Sequence, residues 1–425
     1  MPWSICMPDT KTDLVRVALN SSAVDRQLRY PGDLDRVLPA SGFDAAYAEI
    51  SSWPGYAPTP LVSLPGLARE FGIGELLYKE ERHRFGLNSF KALGGAYAVM
   101  RVLAKELARR GVTTPITSKD LATGRWREIT RGITVASATD GNHGRSVAWG
   151  ARTFGCRCVI FIHETVSEAR GQAIAAYGAQ VIRVGGGYDD SVRHTFSEAA
   201  KSGWFVVQDT GTPDYEDVPR DITSGYAVIA REVLAQSSAP PTHVFAPAGV
   251  GGLASALLAQ FWISAFALGA RPAGSRPPGE RPFFIVLEPT RADCVYRSIE
   301  AGERTDVAIT EETVMAGLSC GEVSTLAWPV LRNGASAAIA IDDQFALEGM
   351  RRFASPVAGD RAIVAGECSG GGLGAMLALR DRPDLSAALQ LDGTSRVLLI
   401  GTEGDTDAGI YESVVGKSAQ EVLGS

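Results

Sequence analysis

Cysteine and positive charge are both scarce in this sequence, and each shortage excludes a class of protein. Six cysteines in 425 residues are too few for a disulfide scaffold, so we expect a cytoplasmic protein. The 41 lysines and arginines are outnumbered by 48 aspartates and glutamates, and the net charge of -7 argues against a nucleic-acid-binding surface. The cysteines and histidines have no zinc-type spacing, so we predict no metal site.

Long uninterrupted apolar runs are also missing. The most apolar segment, residues 249–270, is interrupted by Ser255, Gln260 and Ser264, which favours a buried helix over a membrane span. Residues 1–13 show no basic region followed by an apolar run, so we expect no secretory signal. A small molecule is therefore the expected partner, rather than a membrane or a nucleic acid. A length of 425 residues favours two domains, or one domain with a large insertion.

Short β-branched runs alternate with helical segments along most of the chain, as is typical of parallel sheets covered by helices. Helices are predicted near residues 144–153 and 170–177, and loops at 111–131 and 271–281. The fold class is therefore α/β, with two domains built on parallel-rich open sheets. The predicted strands are Ile133–Ala136, Cys158–Ile162, Val181–Val184, Trp204–Val207, His243–Ala246, Phe283–Leu287 and Val397–Ile400.

The 47 glycines include two clusters that follow strand-like runs. Residues 249–253 follow the run His243–Pro247, and residues 370–374 follow Ala362–Ala365. A strand, a glycine turn and a helix N-terminus together present free backbone N–H groups to a phosphate. A tight turn without a ligand fits the same pattern, and spacing alone does not choose between the two clusters.

Three further segments carry polar side chains suited to catalysis. Lys91 lies between Phe90 and a helical run, where a desolvated lysine becomes an amine nucleophile, although a solvated lysine is the default interpretation. Residues 138–144 and 208–210 each follow a predicted strand, and open α/β sheets bind ligands at the carboxyl ends of their strands. Asp140 and Asp209 in these segments also fit the ordinary roles of helix cap and turn residue.

Taken together, these segments resemble a fold-type II pyridoxal-phosphate enzyme, the group that contains threonine dehydratase and the tryptophan synthase β chain. S-F-K at 89–91 resembles its Schiff-base lysine motif, T-D-G-N at 139–142 its S-x-G-N loop, and residues 249–253 its phosphate loop. A closer resemblance is to the diaminopropionate ammonia-lyase family. It is carried, in matching order, by F-G-L-N-S-F-K-A-L-G-G-A-Y (85–97), A-T-D-G-N-H-G-R-S-V-A-W-G (138–150), Q-D-T (208–210) and G-T-E-G-D-T-D (401–407).

The resemblance implies an architecture and a cofactor. Residues 1–92 and 212–425 would form a large cofactor-binding domain, with residues 93–211 as a small domain inserted in it. Pyridoxal 5'-phosphate would lie in the cleft between the two domains, and the protein would be a homodimer. Residues 211–215 depart from the family's usual sequence, and the segments 111–132 and 271–281 lengthen the chain.

The resemblance also implies roles for individual residues. Lys91 would hold the cofactor as a Schiff base, and Phe90 would lie against its ring. Asn142 would bind the phenolic oxygen, and Thr402 would bind the pyridine nitrogen. Catalysis would fall to Lys91, Asp140 and Asp209. The phosphate would be held by Gly249, Val250, Gly251, Gly252 and Leu253, and the substrate by Thr139, Asp140, Gly141 and His143.

The function implied is the α,β-elimination of 2,3-diaminopropionate, as the D and L isomers, to pyruvate and two molecules of ammonia. Ordinary dehydratases carry serine where this chain has Asp140, and a carboxylate there can accept a proton or pair with a β-ammonium group. Two alternatives stay open. One is a dehydratase acting on a serine-, threonine- or 3-hydroxyaspartate-like amino acid, and the other is a non-catalytic α/β binding protein.

Asp140→Asn should abolish turnover of D-2,3-diaminopropionate while the cofactor stays bound, because the amide cannot accept the Cα proton. Pyruvate release measures turnover, and visible absorbance measures the bound cofactor. Unchanged turnover of the D isomer would exclude this role for Asp140.

Overall fold

A computed structural model describes residues 14–139, 141–267 and 279–424 of the chain. Asp140 therefore lies outside the described residues, as does most of the predicted loop at 271–281. The described strands, in chain order, are β1 (Val15–Leu19), β2 (Leu61–Ser63), β3 (Glu75–Glu80), β4 (Thr134–Thr139), β5 (Arg157–His163), β6 (Gln180–Val184), β7 (Phe205–Val206), β8 (His243–Pro247), β9 (Phe283–Pro289), β10 (Ala337–Ile341) and β11 (Arg396–Gly401).

These strands form two sheets. The larger sheet has the order β1-β10-β9-β8-β11-β3-β2, in which only the edge strands β1 and β2 pair antiparallel to their neighbours. The smaller sheet, with the order β6-β5-β4-β7, is parallel throughout. The smaller sheet is thus built from one continuous part of the chain, residues 134–206. The boundaries 92/93 and 211/212 stay a prediction.

Helices cover these sheets and connect their parallel strands. Within the described residues, no helix is both long and apolar enough to cross a membrane. The helices are α1 (Gly32–Val37), α2 (Ala40–Ile50), α3 (Pro65–Glu70), α4 (Ala92–Arg109), α5 (Ser118–Ala122), α6 (Arg127–Thr130), α7 (Asn142–Phe154), α8 (Glu168–Ala175), α9 (Tyr188–Ser202), α10 (Asp217–Gln236), α11 (Gly252–Ala267), α12 (Cys294–Ala301), α13 (Ala327–Gly334), α14 (Asp343–Ala354), α15 (Glu367–Arg380), α16 (Pro383–Ala388), α17 (Ala408–Val415) and α18 (Ala419–Gly424).

The α/β fold class is confirmed, and each predicted strand coincides with a strand of the structure within a few residues. The predicted loop at 111–131 is partly wrong, because it contains α5 and α6. Thr117 and Asp120 form a capping box that starts α5. Strand β10 was not predicted, because its sequence A-A-I-A-I gives only a weak β signal.

The second glycine cluster has a different structure from the one that its sequence suggests. Residues 362–365 are not a strand, and Gly370 and Gly374 lie inside α15, where Gly370 N–H donates to Gly366 O at 2.8 Å. A Cβ atom on Gly349 of α14 would lie 2.1 Å from Gly370 O. These glycines therefore allow the backbones of α14 and α15 to touch, and they offer no row of free N–H groups to a ligand.

A second close helix contact positions Lys91. Lys91 is the residue that precedes α4, and α4 packs against α10. A Cβ atom on Gly225 of α10 would lie 1.9 Å from the backbone oxygen of Leu93, so only glycine fits there. The first turn of α4 is therefore held directly against α10.

Gly225→Ala should lower the free energy of unfolding by about 1–3 kcal/mol, because the added methyl group meets backbone atoms that cannot rotate away. Chemical denaturation of the cofactor-free protein measures the change. Gly32→Ala is the matched control, since nothing lies within 4 Å of its Cβ position and its φ is not positive. Equal stability of the two variants would contradict the close contact.

Candidate active site

The loop after β8 offers a row of backbone N–H groups. Among the residues that the structure describes, no hydrogen-bond acceptor is paired with the N–H groups of residues 249–253, and α11 begins at Gly252. Gly251 has φ +91°, a left-handed conformation that favours glycine. The Val250 carbonyl is held by Ser324 N–H at 2.9 Å, which fixes the loop. Unpaired N–H groups at a helix N-terminus are the chemistry that binds a phosphate.

Lys91 and Asp209, which are 118 residues apart in the sequence, form an ion pair. Lys91 Nζ donates to Asp209 Oδ2 at 2.6 Å, and the two side chains are 19% and 13% exposed. Burial alone would raise the pKa of Asp209, but the Lys91 ammonium and the nearby His143 hold that pKa well below its ordinary value. The carboxylate is therefore ionised at neutral pH. Asp209 lies three residues after Val206, the last residue of β7.

The segment after β4 is fixed by its own side chains. Thr139 Oγ1 accepts hydrogen bonds from Gly141 N–H at 2.9 Å and from Gly144 N–H at 3.0 Å. His143 is buried, its Nδ1 lies 3.9 Å from Asp209 Oδ2, and its Nε2 lies 2.8 Å from Val207 O. Because a carbonyl oxygen only accepts, Nε2 carries a proton. Asp140 belongs to this segment in sequence, and its predicted role rests on sequence alone.

Glu403, the residue after Thr402, connects Asn142 to the end of β11. Asn142 Nδ2 donates to the Glu403 carboxylate, and Asn142 Oδ1 accepts from Arg145 Nη2 at 2.9 Å. Thr402 O accepts from Phe90 N–H at 3.0 Å, and the buried Thr402 hydroxyl lies 3.3 Å from Ser369 Oγ. Thr402 and Glu403, which directly follow β11, thus meet the segment that carries Lys91.

Sequence reasoning missed three residues of this region. Glu403 lies inside the motif at 401–407, but no role was assigned to it. Ser369 and Tyr226 lie on α15 and α10, far from any recognised motif, and no local signal marks them. Glu367, beside Glu403, has its pKa raised to about 7 by burial and by the charge of Glu403.

The chain was compared with known proteins. The family model described as "Pyridoxal-phosphate dependent enzyme" matches residues 52–403. The chain is 38% identical to the diaminopropionate ammonia-lyase of Escherichia coli K12 over 371 residues, which cover 85% of this chain and 88% of that protein. It is also 38% identical to the Salmonella typhimurium diaminopropionate ammonia-lyase over 378 residues, which cover 86% and 90%.

Solved structures agree with these relatives. A crystal structure of the holo diaminopropionate ammonia lyase from Escherichia coli superposes with a TM-score of 0.83 at 35% identity, over 94% of this chain and 96% of that one. The structure of the same enzyme in complex with D-serine gives a TM-score of 0.83 at 36% identity, over 95% and 98%.

These matches, together with the two parallel-rich sheets and the lysine segment, place the chain among the fold-type II pyridoxal-phosphate dependent enzymes. Its cofactor is pyridoxal 5'-phosphate. Within this class, the chain belongs to the diaminopropionate ammonia-lyase family.

The residues present fit that cofactor. The unpaired N–H groups at 249–253 suit its phosphate, and the amine of Lys91 suits its aldehyde. Thr402 offers a neutral hydroxyl for the pyridine nitrogen and Asn142 an amide for the phenolic oxygen. These individual assignments stay predictions.

Gly251→Ala should weaken cofactor binding about tenfold, because a side chain at φ +91° is strained by about 1–2 kcal/mol. Its Cβ would also lie 2.9 Å from Leu331 Cδ1. An absorbance titration of the cofactor-free protein measures the dissociation constant. Gly416→Ala is the control, since Gly416 has φ +78° after α17 with nothing within 4 Å. An unchanged constant in Gly251→Ala would contradict the phosphate assignment.

Proposed function

We propose that this protein converts D- and L-2,3-diaminopropionate to pyruvate and two molecules of ammonia by α,β-elimination. The observation that carries the proposal is the Lys91–Asp209 pair, in which an ionised carboxylate lies 2.6 Å from the amine of the predicted Schiff-base lysine in a member of this family. The alignment covers 88% of the Escherichia coli K12 relative, which supports the proposal for the chain as a whole.

Pyridoxal phosphate, when bound, supplies an electron sink that makes the Cα proton of an amino acid removable. The protein has to hold the cofactor and place bases around Cα. Lys91 anchors the cofactor, the N–H groups at 249–253 hold its phosphate, and Phe90 packs near its ring. Thr402 offers a hydroxyl rather than a carboxylate to the pyridine nitrogen. A neutral partner limits the stabilisation of negative charge on the ring, which favours expulsion of the leaving group.

Two isomers require proton acceptors on opposite faces of Cα. Asp209 is kept ionised by Lys91, so it is ready to accept a proton once the amine moves away. Asp209 or Lys91 therefore serves the L isomer. Asp140, on the segment after β4, serves the D isomer and carries a negative charge that suits the β-ammonium group of the substrate.

The substrate's carboxylate and ammonium groups need polar partners beside these bases. Thr139, Gly141 and His143 are neighbours of Asp140 in the sequence, and the Thr139 hydroxyl accepts hydrogen bonds from the N–H groups of Gly141 and Gly144. Loss of the β-amino group as ammonia leaves aminoacrylate, which hydrolyses in water to pyruvate and a second ammonia. We also propose a cytoplasmic homodimer, as the family resemblance implies.

A dehydratase acting on a serine-like amino acid is the second candidate, because the Escherichia coli relative has been crystallised in complex with D-serine. Pyruvate release from D- and L-2,3-diaminopropionate, D- and L-serine, threonine and 3-hydroxyaspartate separates the two functions. Faster turnover of a hydroxyl substrate than of both diaminopropionate isomers would overturn the proposal.

Asp209→Asn should reduce turnover of L-2,3-diaminopropionate by about 100-fold or more, since a general base contributes 10²–10⁴-fold. Turnover of the D isomer should fall by a smaller factor. Pyruvate release measures both rates, and visible absorbance confirms that the cofactor is bound. Asp189→Asn, at an exposed position on α9, controls for the loss of one negative charge. Equal losses for the two isomers would exclude an isomer-specific role for Asp209.

A further inference from the structure

Tyr226 on α10 has a buried hydroxyl that lies next to the Lys91 amine. The residue is 2% exposed, and among the described residues its hydroxyl makes no hydrogen bond of ordinary geometry, although the Lys91 amine is close enough to lower its pKa. Buried phenols are normally hydrogen-bonded, and an exception calls for a physical explanation.

The position of Tyr226 is set by packing next to the lysine. Its ring meets the Phe90 ring edge to face, with the centroids 4.8 Å apart, and Lys91 Nζ lies 5.9 Å from the Tyr226 centroid. Gly94 on α4 makes room for this ring, because a Cβ atom there would lie 2.5 Å from Tyr226 Cε1. Two glycines, Gly94 and Gly225, thus bring Tyr226 under the first turn of α4.

The same surroundings determine whether the Tyr226 hydroxyl is protonated. Burial raises the pKa of the phenol above its ordinary value, and the charge of Lys91 opposes this rise without reversing it. The hydroxyl therefore stays protonated at neutral pH. It can accept a hydrogen bond from an ammonium group or donate one to a neutral amine, but it does not act as a base.

The lysine amine needs a second position during the proposed reaction. In the structure Lys91 Nζ donates a hydrogen bond to Asp209 Oδ2 at 2.6 Å. A carboxylate that holds an ammonium group is a poor acceptor for a substrate proton, because its charge is already compensated. The amine therefore has to leave Asp209 when the L isomer reacts, and a buried amine needs a polar partner where it goes.

We propose that Tyr226 is a positioning residue that provides this second partner. Its hydroxyl already lies beside Lys91 Nζ, and it becomes the amine's main hydrogen-bond acceptor when the amine leaves Asp209, which frees the carboxylate. This inference rests on the proposed function for the role of Asp209, whereas the contact between Tyr226 and Lys91 can be tested without any substrate.

The contact is tested in the cofactor-free protein by the pH dependence of Lys91 modification with acetic anhydride, followed by mass spectrometry. An oxygen that accepts from the ammonium form favours that form, so Tyr226→Phe should lower the pKa of Lys91 by about one unit. The substitution keeps the ring that packs against Phe90, so the variant should fold like the parent protein. Tyr411→Phe is the matched control, since Tyr411 is equally buried on α17 and its hydroxyl likewise makes no hydrogen bond of ordinary geometry among the described residues. Identical Lys91 titrations in Tyr226→Phe and the parent protein would overturn the proposal.

The positional role is tested in the loaded enzyme. Tyr226→Phe should lower kcat for L-2,3-diaminopropionate by about tenfold more than kcat for the D isomer, because only the L isomer needs Asp209 free. An equal loss for the two isomers would overturn the role in the reaction. If the parent protein turns over neither isomer, the proposed function is wrong, and the Lys91 titration still decides whether Tyr226 contacts the amine.

Discussion

The ion pair between Lys91 and Asp209 is the constraint on which this active site depends. Its two charges are largely removed from water, so separating them is costly unless another polar group takes the place of one of them. Lys91 immediately precedes α4, whereas Asp209 follows β7 of the smaller sheet. The geometry of the site therefore depends on how firmly α4 is held relative to that sheet, and α4 packs on both α7 and α10.

A buried cluster of charges secures the segment that leads to Lys91. Lys79 of β3 donates to Glu232 Oε2 of α10 at 2.6 Å, and Arg84 binds both Glu81 and Glu232. All four side chains are almost fully buried. Loss of one member would strand the others without compensation, which costs several kcal/mol in comparable clusters. Helix α10 thus anchors the chain on both sides of the lysine, through this cluster before it and through Gly225 after it.

Local sequence motifs located the candidate catalytic residues of this site. Lys91 and Asp209 were predicted from local motifs, and the structure places them in direct contact. The choice of the first glycine cluster is supported by its unpaired N–H groups. Local patterns could not separate it from residues 370–374, because a helix-packing glycine and a ligand-binding glycine look alike until the partner helix is known. Tyr226 and Glu403 were missed for a related reason: their surroundings come from parts of the chain distant in sequence.

The contact between Asn142 and Glu403 has a kinetic consequence. It joins the segment after β4 to the end of β11. Nearby, Ser167 contacts Asp407, also after β11, at 3.1 Å, and Arg170 of α8 contacts Glu367 of α15 at 3.6 Å. A molecule that enters between these two parts of the chain can do so only when contacts of this kind open. We therefore expect the rate at which an empty molecule takes up its cofactor to depend on these openings, and not on diffusion alone.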